Sequence, residues 1–172
     1  MVENIAIVGL DRRRSYEIAK MLASELEMQF LDTIELFEFD NAPRTLSVML
    51  NEFGLNYFRK KEKGAIGYAS EFSNTVIHLE SGMAENQANF ESLKQTCLLI
   101  YIHKPTTQIK QELENQKYDD DILSKFYNVS INKLRSRAKE LKQKSQIVIT
   151  DSQQSSLKMV SEILREIKKY QY

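Results

Sequence analysis

Near its start the chain reads Ile5-Ala6-Ile7-Val8-Gly9-Leu10-Asp11-Arg12-Arg13-Arg14-Ser15-Tyr16. The four apolar residues predict a buried strand, Gly9 predicts a tight turn, and a helix is expected to begin near Ser15. A strand, a glycine loop and a helix in this order are the setting of the phosphate-binding pattern GxxxxGK[ST]. The setting is present here, but most residues of the pattern are not.

The departures from this pattern affect the groups that bind phosphate. Gly9 stands at the first position, but Arg14 replaces the second glycine, Ser15 the lysine and Tyr16 the hydroxyl that holds Mg²⁺. A non-glycine residue at positive φ costs on the order of 1 kcal/mol, and arginine side chains fill the volume that a phosphate chain needs. We therefore expect a vestigial nucleotide site, made of Gly9, Arg12, Arg13, Arg14, Ser15 and Tyr16.

The three arginines leave two interpretations open. Guanidinium groups bind phosphate bidentately, so they could replace the lost lysine at a helix N-terminus. Alternatively, the segment is a solvated basic turn in which Asp11 or Ser15 caps the helix and Glu17 complements the helix dipole. Asp11 and Glu17 partly neutralise the arginines, which favours the second interpretation.

Size and composition predict a single domain over residues 1–172. Lys+Arg and Asp+Glu are each 24, so no net charge attracts nucleic acid or an anionic membrane. The single Cys97 lies in an apolar run, which excludes an internal disulfide and predicts a buried thiol. There is no basic leader and no apolar stretch of membrane length, so we expect a cytoplasmic protein.

Short apolar runs alternate with longer amphipathic ones, which predicts a three-layer α/β/α fold with a five-stranded, mainly parallel sheet. The predicted strands are Ile5–Val8, Gln29–Leu31, Thr75–Leu79, Leu98–Ile102 and Gln146–Ile149. In the closing helix, the residues predicted to face the core are Leu157, Val160, Leu164 and Ile167. Residues 33–73 are expected to form a helical insertion that breaks near Gly54, and the polar segment 114–128 is a candidate lid or loop.

Four segments, and one arginine placed before the last strand, belong to a wider pattern. They are Phe30–Glu38, Gly54–Glu62, Val76–Gly82, Leu99–Pro105 and Arg137. In this order they resemble the FxDxDxxIE motif, the GExxFRxxE motif, the strand before three glycines, the fourth strand and the second substrate arginine of the shikimate kinase family. The resemblance covers nearly the whole chain and implies the fold of a P-loop kinase of the nucleoside monophosphate kinase type.

The resemblance also implies a site for ATP, Mg²⁺ and shikimate. Asp32 matches the carboxylate that organises the Mg²⁺ water shell, and Arg59 and Arg137 match the two arginines that clamp the shikimate carboxylate. Gly82 matches one of the three glycines, and Lys117 lies near the position of the lid arginine. In this family, residues 33–73 would form the substrate-binding insertion.

Several positions depart from the family pattern. Ile34 stands where a carboxylate would bind the ring hydroxyls, and Glu80 and Ser81 replace two of the three glycines. A carboxylate at position 80 would repel an acidic substrate. His78 and His103 have no second histidine or cysteine at metal-ligand spacing, so we expect them to be hydrogen-bonded histidines at strand ends.

Each retained residue also has a structural interpretation. Arg59 can pair with Glu62, Arg137 can belong to a solvated basic helix face, and Asp32 can cap a helix that begins at Thr33 or Ile34.

Phosphoryl transfer depends mostly on positioning and on neutralising charge. The combined losses predict a shikimate-kinase-like pseudoenzyme that binds a small anionic ligand or a protein partner, and they identify no cofactor for it. The alternative is an active small-molecule kinase that uses ATP, Mg²⁺ and an atypical arginine-containing loop, with Glu80 recognising a different substrate. A third hypothesis is a nucleic-acid contact through the arginines, but neither nucleic acid nor a membrane is an expected partner.

Overall fold

A computed structural model of the protein describes residues 3–115, 121–151 and 153–170. Its sheet has five strands, all parallel, in the order β2-β3-β1-β4-β5. The strands are β1 (Asn4–Gly9), β2 (Gln29–Asp32), β3 (Thr75–Leu79), β4 (Cys97–His103) and β5 (Ile147–Thr150). Each agrees with its predicted strand to within one residue at either end.

The described part of the chain contains eight α-helices and two short 3₁₀ helices. The α-helices are α1 (Arg12–Glu25), α2 (Thr33–Asp40), α3 (Leu46–Ala69), α4 (Gln87–Thr96), α5 (Thr106–Asn115), α6 (Asp121–Tyr127), α7 (Ile131–Lys144) and α8 (Ser156–Ile167). The 3₁₀ helices are Ser81–Glu85, directly after β3, and Lys168–Tyr170. Among the helices that the structure describes, none combines the length and apolar character that a bilayer crossing requires.

Each face of the sheet has its own core because side chains alternate along a strand. Ile5 and Ile7 of β1 lie on the face that α1 and α8 cover. Ala6 and Val8 lie on the opposite face, which α4, α5 and α7 cover. This is the predicted α/β/α architecture, in which a parallel sheet is buried on both sides.

The topology brings the ends of three strands together. Strand β3 lies between β2 and β1, so Asp32 is in register with His78, and Val8 with Leu79. Helix α1 begins shortly after β1 and packs over β3. In open parallel sheets, ligands bind outside the carboxyl ends of the strands. The loop after β1 lies at this edge.

Helices α2 and α3 form a small third core, whose buried residues are Ile34, Phe37, Leu46, Met49, Leu50 and Phe58. Helix α3 changes direction at Gly54, where φ is 76° and ψ is 173°. The predicted break near Gly54 is confirmed. The candidate lid at 114–128 lies only partly within the described residues, since 116–120 are not among them. Lys117 therefore lies outside the described residues.

The predicted core face of the last helix needs one correction. Leu157 is 64% exposed, whereas Val160 and Ile167 are buried and Leu164 is partly buried. The buried face of α8 is centred on Val160 and Ile163, so Leu157, in the first turn, lies at its edge.

Candidate functional site

In the loop after β1, a carboxylate of the protein itself caps the N-terminus of helix α1. Asp11 is the N-cap of α1, and its Oδ1 accepts a hydrogen bond from the backbone N–H of Arg14 at 3.1 Å. Its Oδ2 accepts one from Lys104 Nζ at 3.0 Å. A helix N-terminus attracts anions because its first N–H groups have no partner within the helix. Here the anion is Asp11, which confirms the predicted Asp11 cap.

Behind this loop, hydrogen bonds connect Ser15, His78 and Asp32. Asp32 can only accept, so His78 Nδ1–H donates to its Oδ2, at 2.5 Å. The Nε2 of the neutral ring then accepts from the Ser15 hydroxyl, at 2.9 Å. The exposed fractions of Ser15, His78 and Asp32 are 0%, 0% and 2%. The position of the missing lysine therefore holds a hydroxyl without solvent contact.

Arg12 and the start of α2 complete the surroundings of Asp32. Arg12 Nη2 donates to both carboxylate oxygens, at 2.9 and 3.1 Å. Asp32 Oδ1 also accepts from the backbone N–H groups of Ile34 and Glu35, at 3.0 and 2.9 Å. Asp32 is thus the N-cap of α2, as its structural interpretation predicted.

Protonation in this network follows from burial and charge. Burial favours the neutral form of Asp32, but the hydrogen bond from His78 and the charge of Arg12 outweigh burial and hold the pKa of Asp32 below its usual range. Burial is the largest influence on His78 and lowers its pKa, against the opposing effect of Asp32. At neutral pH the network therefore contains one ion pair, Arg12 with Asp32, and a neutral imidazole.

Asp32 as it stands does not fit the role of an Mg²⁺ ligand. Both of its oxygens already accept hydrogen bonds, and the Arg12 guanidinium that binds them repels a cation. In the ranges that the structure describes, no group of three or more His, Cys, Asp or Glu residues is arranged to hold a metal ion. Tyr16, at the position of the Mg²⁺ hydroxyl, donates its own hydroxyl to Glu35 at 2.8 Å.

Gly9 is required by packing within the loop. A Cβ atom at this position would lie 2.8 Å from the Cβ of Ser15, closer than real side chains approach. The Tyr16 ring lies edge-on to His78, with ring centroids 5.5 Å apart, and covers the buried network. The glycine that matches the phosphate-binding pattern thus makes room for the serine that replaces its lysine.

Arg14 connects α1 to the segment between β5 and α8. Its Nε lies 3.3 Å from Asp151 Oδ2, and its Nη atoms donate to Ser156 Oγ and to the backbone carbonyl of Gln154. Its side chain is only 19% exposed. Arg14 therefore has a structural use inside the protein.

The prediction of a solvated basic turn is correct for only one of the three arginines. Arg13 is exposed and takes part in no ion pair within the described ranges. Arg12 and Arg14 are instead drawn into ion pairs with Asp32 and Asp151. These two arginines turn inward because both carboxylates are almost fully buried, and a buried charge requires a partner.

A second cluster surrounds Arg59. Its Nη1 donates to Glu62 Oε1 and to Glu80 Oε2, both at 2.8 Å. Glu80 Oε2 also accepts from the Gly82 N–H at 2.7 Å, and Oε1 accepts from the Ser81 hydroxyl at 3.1 Å. The predicted pairing of Arg59 with Glu62 is confirmed, and Glu80 is a second internal partner.

The two carboxylates that share Arg59 differ in protonation. Burial, together with the nearby charge of Glu80, raises the pKa of Glu62 to about 8. Burial acts on Glu80 as well, but Arg59 and Arg137 outweigh it, and the pKa of Glu80 is lowered. Glu62 is therefore mostly protonated at neutral pH, and Arg59 forms its ion pair with Glu80.

Arg137 is also bound internally. It is 4% exposed, its Nε and Nη2 donate to Glu85 Oε1 at 2.8 and 2.6 Å, and its Nη1 donates to Ser81 Oγ at 3.3 Å. The alternative that Arg137 belongs to a solvated helix face is therefore wrong, because its side chain points from α7 toward the 3₁₀ helix. Both arginines that the resemblance assigns to a substrate carboxylate hold carboxylates of the protein.

The other residues of the implied substrate site serve packing. A Cβ at position 82 would overlap the Arg59 guanidinium, so Gly82 lets that side chain lie against the backbone. Ile34 is 6% exposed and belongs to the third core. His78 is a satisfied strand histidine, as predicted, and Cys97 is buried.

Several residues of the site were not singled out from the sequence. Glu85, Lys104 and Asp151 each bind a residue far away in the chain, and no spacing rule indicates such pairs. Of these three residues, only Asp151 is the partner of a loop arginine, so for this residue alone the run of three arginines was an indirect signal.

A five-stranded parallel sheet in this order, with a helix starting after its central strand, defines the class of P-loop kinase folds. Solved structures of that class agree with it over nearly the whole chain. Shikimate kinase from Acinetobacter baumannii in complex with shikimate has a TM-score of 0.81 at 19% identity, covering 99% of this chain and 95% of that one. Shikimate kinase from Aquifex aeolicus has a TM-score of 0.75 at 20% identity, covering 96% of each chain.

The sequence comparisons identify the family. The family model described as shikimate kinase matches residues 17–168, beginning directly after the altered loop. A shikimate kinase of Clostridium botulinum (strain Okra / Type B1) is 24% identical over 162 residues, which are 92% of this chain and 95% of the relative. One from Alkaliphilus oremlandii is 31% identical over 102 residues, 59% of this chain and 60% of the relative. The chain belongs to the shikimate kinase family.

Proposed function

We propose that this member of the shikimate kinase family does not transfer phosphate from ATP to shikimate and acts instead as a binding protein for a small anionic ligand or a protein partner. The observation that carries the proposal is the state of Ser15. It stands where the loop lysine would reach the β- and γ-phosphates, and it is buried and hydrogen-bonded to His78. No cation at this position can neutralise a transferring phosphoryl group.

The size of the expected loss supports this proposal. Removing one preorganised electrostatic contact typically costs about 3 kcal/mol, or roughly two decades in rate. This chain lacks the loop lysine and the Ser or Thr hydroxyl that would hold Mg²⁺, and the carboxylate of Asp32 forms an ion pair with Arg12. Such losses do not add fully, but together they remove most of the catalysis that a kinase provides.

The substrate side gives a second, independent line of support. Arg59 is paired with Glu80, and Arg137 with Glu85, so each positive charge is neutralised within the protein. At Arg59, a ligand carboxylate would have to displace the buried Glu80, whose release into water is opposed by its hydrogen bonds from Gly82 and Ser81. Tight binding of shikimate in the family's manner is therefore not expected.

The test is an assay of ADP release with MgATP and shikimate, with a catalytically active shikimate kinase measured in parallel. Titration calorimetry with each ligand alone accompanies it. We expect no ADP above background and no heat of MgATP binding. Turnover at the usual enzyme rates of about 1–10³ s⁻¹ would overturn the proposal.

One observation favours the alternative, an active small-molecule kinase with an arginine loop. Arg13 is exposed at the start of α1 and is unpaired in the described part of the chain, so it is available to a phosphate. This alternative requires MgATP to raise the melting temperature, and Arg13→Gln to abolish that increase. Arg135→Gln, which removes an exposed arginine on α7, is the matched control.

A further inference from the structure

The outer face of helix α3 carries a row of four residues, which we call the outer stripe. Lys60, Gly64 and Glu71 are exposed, and Gly67 is half-buried. Their spacing of four, three and four positions places them in one line along a helix. Glu71 lies two positions past α3, but its backbone N–H donates to the carbonyl of Tyr68 at 3.0 Å, so the turn continues to it. The buried residues of the same stretch, which face the core, are Phe58, Glu62, Ala65, Ile66 and Ala69.

The two glycines of the outer stripe are not required by the packing of the described chain. A Cβ atom added at Gly64 or at Gly67 meets nothing within 4 Å. Glycine inside a helix lowers helix stability relative to alanine, and its advantage on an exposed face is that another backbone can approach closely. The side chain of Tyr68, next to Gly67, is 51% exposed and offers apolar surface beside the glycines. The middle of the stripe is therefore suited to contact with another helix.

The charges on the two sides of these glycines are opposite. The exposed residues on the N-terminal side are Lys60, Lys61 and Lys63. The exposed residues around the C-terminal end of the stripe are Glu3, Glu27 and Glu71. Asn74 holds this end together, because its backbone N–H donates to the Glu3 carbonyl at 3.0 Å and its Nδ2 to the Glu27 carbonyl at 3.4 Å. Within the ranges that the structure describes, none of these six side chains forms an ion pair.

We propose that a second copy of this chain packs on the outer stripe, with its helix α3 antiparallel to the first. A two-fold axis midway between Gly64 and Gly67 places Gly64 of one copy against Gly67 of the other. The same axis places Lys60 of one copy against Glu71 of the other, because the two positions are equally far from the axis. The two Lys60 side chains are then eleven positions apart along the pair, or about 17 Å, which exceeds the screening length of about 8–10 Å.

The opposite charges at the two ends of the stripe favour a second copy over other partners. A uniformly acidic peptide or a nucleic acid would be attracted by the lysines but repelled by the acidic end. An antiparallel copy brings each basic end to an acidic end. The contact uses one helix from each copy, so its area lies at the low end for specific interfaces, and we expect a dissociation constant on the order of 10–100 μM. This association goes beyond the proposed function and does not depend on whether ATP is turned over.

Sedimentation velocity of the full chain, from about 1 μM to about 0.5 mM, tests the association. We expect a monomer at the lower concentration and a dimer at the higher one, without larger species, because a two-fold contact closes at two copies. Raising the salt concentration from about 0.05 to about 0.5 M should weaken the dimer, because the ion pairs are at its surface.

Charge reversal tests the pairing of Lys60 with Glu71. Lys60→Glu and Glu71→Lys each place like charges opposite each other twice in the dimer, and each variant alone should self-associate at least about tenfold more weakly. In an equimolar mixture, one copy carries two acids at these positions and the other carries two lysines, so both attractive pairs return. We expect the mixture to dimerise about as tightly as the natural protein.

Two further variants separate the stripe from general charge effects. Gly64→Gln fills the middle of the stripe and should abolish the dimer, whereas the fold is retained because the added side chain meets no neighbour. Lys139→Glu, at an exposed position of α7, makes the same charge change as Lys60→Glu and should leave the dimer unchanged. Circular dichroism at about 1 μM, where the chain is monomeric, checks that each variant is folded.

The proposal is overturned if the natural protein stays monomeric to about 0.5 mM or forms larger species as its concentration rises. It is also overturned if the mixture of Lys60→Glu and Glu71→Lys associates no more tightly than either variant alone, or if folded Gly64→Gln dimerises like the natural protein. ADP release with MgATP and shikimate would instead overturn the proposed function and leave this association standing.

Discussion

Asp32 holds three elements together through one carboxylate. It accepts hydrogen bonds from Arg12 of α1, from His78 of β3 and from two backbone N–H groups of α2. A carboxylate with these donors is stabilised in its ionised form although it is buried. The side chain that resembles a magnesium-organising group therefore acts as a structural anion in this protein.

Replacing Arg12 with Gln should destabilise the fold by about 1–3 kcal/mol, because it leaves the buried Asp32 charge without its ionic partner. The change can be measured as a shift of the urea unfolding midpoint. Arg13→Gln removes the neighbouring exposed arginine and should change the midpoint by less than about 0.5 kcal/mol. Equal effects of the two variants would contradict the ion pair between Arg12 and Asp32.

The raised pKa of Glu62 makes the stability of the fold decrease as pH rises from about 4.5 to about 8. In the unfolded chain Glu62 titrates near its ordinary value of 4.5, whereas in the fold its pKa is about 8. Between these two values the folded state binds one more proton than the unfolded chain, so the contribution of this proton to stability falls as pH rises from about 4.5 and is lost once the pH has passed about 8. Glu62→Gln keeps the acceptor for Arg59 and removes the titration.

We expect Glu62→Gln to be more stable than the natural protein at pH 9, by on the order of 3 kcal/mol, and nearly equal to it at pH 5. Urea unfolding across this range measures the difference. Glu71→Gln, at an exposed position just beyond α3, should follow the natural protein at every pH. A constant difference between Glu62→Gln and the natural protein would show that Glu62 is ionised throughout.

The partners in this site were predictable only where they are close in sequence. Arg59 and Glu62 are three positions apart on a helix, a spacing that places side chains next to each other. Arg137 and Glu85 are 52 positions apart and meet only because α7 packs on the 3₁₀ helix after β3. The sequence could therefore indicate which residues were retained, but not which internal charges neutralise them.

Strands β1 to β5 were predictable because a parallel sheet buried on both faces requires continuous apolar runs. The order of the strands in the sheet could be inferred only from the family resemblance, since hydrophobic periodicity carries no information about which strands are adjacent. Helix periodicity was less reliable, as the exposed Leu157 in the first turn of α8 shows. The break in α3 at Gly54 was visible because glycine commonly marks such a change of direction.

Two glycines of α3 should respond in opposite ways to substitution by Ala. Gly54 has a φ of 76° and a ψ of 173°, a conformation that essentially only glycine adopts, so Gly54→Ala should destabilise the fold by about 1–3 kcal/mol. Gly64 is helical and exposed, and an added Cβ there meets nothing within 4 Å. Gly64→Ala should therefore stabilise the fold by about 0.5–1 kcal/mol. Unfolding midpoints that move in the same direction would contradict the backbone kink.

The formal net charge of zero conceals an uneven distribution of charge through the molecule. Buried or half-buried carboxylates on β2, after β3 and on the 3₁₀ helix each hold an arginine from another element: Asp32 with Arg12, Glu80 with Arg59, and Glu85 with Arg137. Removing one partner of such a pair destabilises a protein far more than removing one partner of a surface pair, because the remaining charge stays desolvated. They tie α1, α3 and α7 to one edge of the sheet.

The fold should therefore lose stability cooperatively as the pH is lowered below about 4.5. The pKa values of Asp32, Glu80 and Glu85 are each lowered from ordinary values of 3.8, 4.5 and 4.5. Each ionised group contributes stability above its ordinary pKa, and this contribution is lost as the pH falls through the lower value of the folded state. Glu62 adds no opposing slope there, because it is protonated in both states.

Urea midpoints measured from pH 7 to pH 2 test this expectation. Glu85→Gln should lower stability at pH 7 and make the loss in acid shallower, since Arg137 no longer has an ionised partner to lose. The control is Glu52→Gln, which breaks a surface pair with Arg44 whose side chains are 45% and 52% exposed. Surface pairs of this kind contribute about 0–1 kcal/mol, so the control should follow the natural protein. If Glu52→Gln and Glu85→Gln gave the same acid curve, total charge rather than these internal pairs would govern acid stability.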